Sequence, residues 1–88
     1  MFNDLTDATK RMLSDFANGL HIEFCLNQKG EEFYMTVRGK LSKGFDRRTL
    51  NNLIANGLVR YKVTSYLGTP WRIYGISTKG WEVFNART

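Results

Sequence analysis

Apolar residues along this chain recur at helical spacing in some stretches and at strand spacing in others, and that switching of period limits the fold more than any one residue does. From Leu5 to Ala17 the inward positions Leu5, Thr9, Met12, Leu13, Phe16 and Ala17 recur at three and four, the period of a helix with one buried stripe. Thr6 supplies an N-cap, Asp7 suits the positive end of the helix dipole and Asn18-Gly19 is a stop, so a helix is expected over 6–18. Next, Leu20, Ile22, Phe24 and Leu26 alternate with His21, Glu23 and Cys25, which is the period of a strand. After the turn residues Asn27-Gln28-Lys29-Gly30, Phe33, Met35 and Val37 alternate with Tyr34 and Thr36. The spacing predicts a β-hairpin over 20–38, with a helix over 20–28 as the competing reading.

The segment from Gly44 to Gly57 is the best specified. Asp46 fits an N-cap, Phe45 before it can staple onto Leu50, and Gly57 suits the left-handed residue that closes a helix. At about 100° per residue, Leu50, Leu53 and Ile54 share one side, while Arg48 and Asn52 point nearly opposite, flanked by Asn51 and Ala55. Leu58 to Thr64 follows as a strand with Val59, Tyr61 and Val63 on one side and Arg60 and Lys62 on the other. Residues 65–70 read as a loop, and Trp71 to Ile76 as the antiparallel partner. Ser77 caps a last short helix with Trp81, Val83 and Phe84 inward. The expected class is α+β, in the order α-β-β-α-β-β-α.

Composition closes several alternatives. Eighty-eight residues allow one domain, 1–88, because two cores would leave each half too small. The single cysteine, Cys25, cannot form an internal disulfide, and with the single histidine, His21, it cannot complete a zinc cage of four Cys or His ligands. No apolar run approaches the roughly 20 residues that span a bilayer, and the start is polar and acidic where a signal peptide would be basic and then apolar. The expectation is a soluble protein of a reducing, cytoplasmic compartment, without membrane association.

Charge is unevenly distributed. Residues 1–37 carry Lys10, Arg11 and Lys29 against six carboxylates, net −3, whereas residues 38–79 carry nine Lys and Arg against Asp46 alone, net +8. A basic segment beside an acidic one is what a domain presenting one face to a polyanion would show, since phosphate neutralisation supplies most nucleic-acid affinity. A solvated surface kept soluble by positive charge would look the same.

The run from Thr49 through Asn56-Gly57-Leu58-Val59, then a hairpin, then Tyr74-Gly75-Ile76-Ser77-Thr78-Lys79-Gly80, resembles the winged-helix (winged helix-turn-helix) DNA-binding family over residues 45–84. There a helix ending in Gly-Leu-Val precedes a two-stranded wing and a closing helix. One departure is plain: residues 38–44 are too short and glycine-rich for the family's supporting helix, and a hairpin stands in its place. The resemblance implies a small winged-helix-like domain whose helix over 46–55 enters a major groove, with the hairpin over 58–76 as wing. It implies Arg47, Arg48, Asn51 and Asn52 as base-contacting residues, since arginine pairs with guanine and asparagine with adenine. Arg38, Lys40, Lys43, Arg60, Lys62 and Arg72 would contact phosphate. Double-stranded DNA is the partner so implied, for a transcriptional regulator or mobile-element accessory factor. Reading a palindromic site would require a homodimer.

No catalytic constellation accompanies these features. His21 and Cys25 fall on one strand face about 13 Å apart, too far for direct contact; His21 is read as a rim residue and Cys25 as a small hydrophobe. The glycines and lysines of 38–44 make no phosphate-binding loop. A non-enzymatic protein without cofactor or metal is expected. Phe16, Phe24, Phe33, Phe45, Trp81 and Phe84 are assigned to the core. Tyr66 and Trp71, flanking the wing turn, could pack the hairpin, stack on unpaired bases or anchor a protein partner. A protein-interaction module, docking a nuclease or polymerase subunit through the wing, is therefore the second reading, and RNA binding the third.

Overall fold

Thr6 opens the first helix, its hydroxyl accepting from the Thr9 amide at 3.2 Å, and the chain then folds as the computed structural model describes it over residues 1–87. A 3-10 turn (Phe2–Asp4) precedes helix α1 (Asp7–Ala17), strands β1 (His21–Leu26) and β2 (Glu32–Arg38), helix α2 (Arg47–Ala55), strands β3 (Val59–Tyr66) and β4 (Thr69–Ile76), and helix α3 (Thr78–Asn85). The protein is thus a small α+β domain of three helices and a four-stranded antiparallel sheet ordered β2-β1-β4-β3.

Residues facing each other across a ladder share a face of the sheet. Ile22 pairs with Val37 and Tyr74, Tyr74 with Tyr61, and Phe24 with Met35 and Arg72. This inner face carries the helices: Met12, Leu13 and Phe16 of α1, Leu50 and Leu53 of α2 and Val83 of α3 form one buried cluster with Ile22, Phe24, Val59 and Tyr74. The outer face carries Arg38, Thr36 and Tyr34 of β2, His21, Glu23 and Cys25 of β1, Trp71, Ile73 and Gly75 of β4, and Arg60, Lys62, Thr64 and Tyr66 of β3.

The helix considered for 20–28 is overturned, because 21–26 is strand paired on both sides. Its alternation is also not a buried face against a wet one. Glu23 and Cys25 are buried as well, since β1 lies between two neighbours and their long side chains fold across it. The loop expected over 65–70 shrinks to Leu67-Gly68, both left-handed (φ 52° and 83°), the backbone of a tight two-residue hairpin. Pro70 is accommodated in β4 because the ladder with β1 begins only at Trp71, leaving no inner partner for the missing amide.

Two aromatics assigned to the core lie outside it. Phe33 is 64% exposed on the edge strand β2, and Trp81 is 43% exposed because α3 turns Gly80 and Val83 inward. Phe16 and Phe24 are buried; Phe45 and Phe84 are partly buried against the core. Phe45 sets its ring edge-on to Phe24, centroids 6.3 Å apart.

Candidate nucleic-acid interface

Helix α2 is fixed at both ends. At its start, one oxygen of Asp46 accepts from the Arg48 amide at 3.0 Å and the other from the Thr49 hydroxyl at 2.9 Å, so this carboxylate is occupied by capping. At its end, Gly57 takes the left-handed conformation (φ 71°), and the Leu58 amide returns to the Leu53 carbonyl at 2.9 Å. Thr49, Leu50 and Leu53 are buried, while Arg48, Asn51, Asn52 and Ala55 face solvent. Among the described residues, the Arg48 guanidinium and the Asn51 and Asn52 carboxamides have no hydrogen-bond partner. They form a polar strip rich in donors on a rigid helix that itself contains no acidic residue.

Arg47 is placed differently from its neighbour. Its guanidinium donates to Glu32 of β2 at 2.9 Å and lies over the Phe24 ring, 5.0 Å from the centroid. The second Glu32 oxygen accepts from Arg72 at 3.1 Å and from the Tyr74 hydroxyl at 3.2 Å. Arg72 in turn stacks over Tyr61 at 4.7 Å, and its Nε is buried without a partner among the described residues. Burial acts against the Arg72 charge, but hydrogen bonding with Tyr74 and Glu32 and the Glu32 charge outweigh it, and its pKa is raised. Burial first, then the Glu32 carboxylate, holds the Tyr74 phenol above the usual tyrosine value, with Arg72 pulling the other way. Two arginines assigned to DNA thus converge on one glutamate of the acidic half.

The remaining cations fall into two groups. Arg38 pairs with Glu23 at 3.2 Å on the outer sheet face, where the Thr36 hydroxyl also donates to that carboxylate. Arg60 and Lys62 share this outer face and are exposed, on the side of the sheet opposite α2. Lys40 and Lys43 lie in the segment leading into α2, exposed. That segment is anchored to α1: Asp15, buried, accepts from the Ser42 amide at 3.0 Å and its hydroxyl at 2.5 Å. Lys43 lines the small groove of about 130 Å³ between α1 and α2, together with Asp46 and Thr49. Among the described residues, no carboxylate lies within ion-pair distance of Lys40, Lys43, Arg48, Arg60 or Lys62. The six residues assigned to phosphate therefore do not form one patch.

Tyr66 and Trp71 meet on the outer face, ring centroids 6.2 Å apart, and Trp71 meets Tyr34 at 6.3 Å from the other side. Cys25 lies beneath, paired in register with both Tyr34 and Trp71, and is buried as a small apolar side chain; His21 is exposed, its ring across Gly75. Among the described residues, no three His, Cys, Asp or Glu side chains group as metal ligands.

Sequence reasoning missed Glu32, Glu23, Asp15 and Tyr34. A carboxylate in a half-acidic segment carries no mark of its partner when that partner lies elsewhere in the fold, 13 to 42 residues away. The one available signal was Tyr34 on the polar side of its strand, where an aromatic has no reason to be unless that side is partly covered. Comparison of this chain with protein-family profiles, curated proteins and solved structures yields no match.

Proposed function

We propose that this protein binds double-stranded DNA without catalysis, inserting α2 into the major groove, as a winged-helix-like domain would. What carries this reading is the outward strip of α2. Arg48, Asn51 and Asn52 are exposed on a helix capped at both ends, with unsatisfied donors and acceptors of the kinds that pair with guanine and adenine edges. Lys43 and Lys40, exposed in the anchored segment before α2, would meet phosphate in this reading. The chain order supports it too: α2 runs directly into the β3-β4 hairpin, which pairs through β4 with β1, while in sequence the β1-β2 hairpin stands between α1 and α2, where the family has its supporting helix.

The test is selection from a random duplex library followed by titration at several salt concentrations. Affinity is expected to fall with salt with a log-log slope of about −0.9 per phosphate neutralised. Arg48→Ala and Asn52→Ala should each cost about 1–3 kcal/mol on the selected site and relax preference at one position. If Arg48→Ala alters neither affinity nor preference, α2 is not the reading element.

A further inference from the structure

Among the described residues, no helix covers the outer face of the sheet, and the side chains of this face follow the register of the strands. Register places Arg38, His21, Gly75 and Arg60 in one row across the four strands, and Thr36, Glu23, Ile73 and Lys62 in the next. The third row is Tyr34, Cys25, Trp71 and Thr64, with Tyr66 one step beyond on β3. One end of the face is therefore cationic and the other aromatic. Among the described residues Glu23 is the one carboxylate of this face; it is buried and held by Arg38 and Thr36, which leaves Arg60 and Lys62 without an ion-pair partner among those residues. At the aromatic end Tyr34 is 58% and Tyr66 47% exposed, with Trp71 between them and roughly perpendicular to both (interplanar 78° and 70°). At the cationic end lies an open depression of about 390 Å³ whose lining includes His21, Arg60, Lys62, Ile73 and Gly75.

We propose that this face binds a single-stranded polynucleotide, its unpaired bases stacking on Tyr34 and Tyr66 around Trp71 and its phosphates meeting Arg60 and Lys62. Two features select this occupant. The cationic rim complements a polyanion, and exposed aromatic rings beside a basic groove are what sequence-tolerant single-strand binding uses. A duplex does not fit this use of the rings, because its bases are paired and stacked on one another and offer no free face to Tyr34 or Tyr66, whereas the bases of a single strand do. The site lies on the opposite side of the sheet from α2 and does not depend on the duplex reading.

Fluorescence anisotropy with labelled thymidine and uridine oligonucleotides of about 12 nucleotides, a common site size, tests this against a labelled duplex of the same length. Wild-type protein is expected to bind the single strands; tighter binding of the uridine strand would identify RNA as the source, and equal or weaker binding DNA. Tyr34→Ala should weaken single-strand binding about 5- to 150-fold, the range for loss of one stacked base, and Tyr34→Phe should restore it. Arg48→Ala should leave single-strand binding unchanged while weakening the duplex, so the two sites fail separately. Circular dichroism checks that each variant is folded, and Lys62→Ala provides a second probe that removes no packed ring. Single-strand affinity unmoved by Tyr34→Ala and Lys62→Ala overturns the proposal. So does sedimentation showing that these variants dissociate a dimer, because the face would then belong to a second copy of the chain.

Discussion

Glu32 is the residue on which the sheet's inner face is neutralised. It receives Arg47 from α2, Arg72 and Tyr74 from β4, and it is 15% exposed at its side chain, so little water is available to replace any partner. Glu32→Gln removes the charge while keeping the shape, leaving two guanidinium groups at a site built for an anion. A loss of about 1–3 kcal/mol is expected, read as a lower urea midpoint with unchanged slope. Tyr74 provides a pH-dependent counterpart. Its folded pKa is raised above the ordinary 10.0, so above that value the unfolded chain releases a proton that the folded protein retains. Its contribution to stability is therefore complete below pH 10 and is lost as pH climbs through the folded value. Tyr74→Phe should be less stable than wild type near neutral pH, through loss of the hydrogen bond to Glu32, and the gap should narrow above pH 10. A gap that stays constant would mean that folding leaves the phenol's titration unchanged, and one that widens that folding lowers its pKa; either contradicts the shift described.

At the scale of elements, the junction between α2 and α3 shows why the phrase from Gly57 to Gly80 looks as it does. The Ser77 hydroxyl donates to the Gly57 carbonyl at 2.6 Å and accepts from the Gly80 amide at 2.9 Å, so one side chain closes α2 and opens α3. The Ser77 amide meets the Leu58 carbonyl at 3.0 Å, and Gly80 sits so close to that carbonyl that an added Cβ would collide with it. Ser77→Ala should cost about 1–2 kcal/mol through loss of the cap. Gly80→Ala, which forces α3 off β3, should cost about 1–3 kcal/mol by overpacking. Thermal melts of both variants check this, and a neutral Gly80→Ala would mean that α3 is not seated as described. These features were legible in the sequence because caps and helix stops are written within a few residues of where they act: Thr6, Asp46, Gly57 and Ser77 all take the expected positions. Phe33 and Trp81 were misplaced for the opposite reason. Whether an aromatic on an amphipathic element is covered depends on what lies across from it, and neither the edge position of β2 nor the tilt of α3 is written locally. The six residues assigned to phosphate were scattered by the same cause, since alternation along β3 separates Arg60 and Lys62 from Tyr61 but does not say which side α2 occupies.

For the whole molecule, the imbalance of −3 against +8 does not survive folding as one acidic and one basic lobe. The acidic half sends Glu23 and Glu32 into the basic half, where they engage Arg38, Arg47 and Arg72. What remains is Arg48 with Lys40 and Lys43 in and before α2, Arg60 and Lys62 on the outer sheet face, and Lys79 on α3. In the proposed reading, a straight duplex docked on α2 would touch the residues in and before α2 and not those of the outer sheet face. Lys62→Ala is then expected to leave duplex affinity and its salt slope unchanged, while Arg48→Ala lowers affinity. In the double variant the duplex loss should equal that of Arg48→Ala alone, within the roughly 0.3–0.5 kcal/mol by which distant sites add. A duplex bent around the domain would behave differently: Lys62→Ala would weaken every sequence alike and flatten the slope by about 0.9, the signature of one lost phosphate contact. Duplex titrations of the two single variants and the double variant across salt decide between these geometries, because a contact made only on bending changes the slope whether or not Arg48 is present.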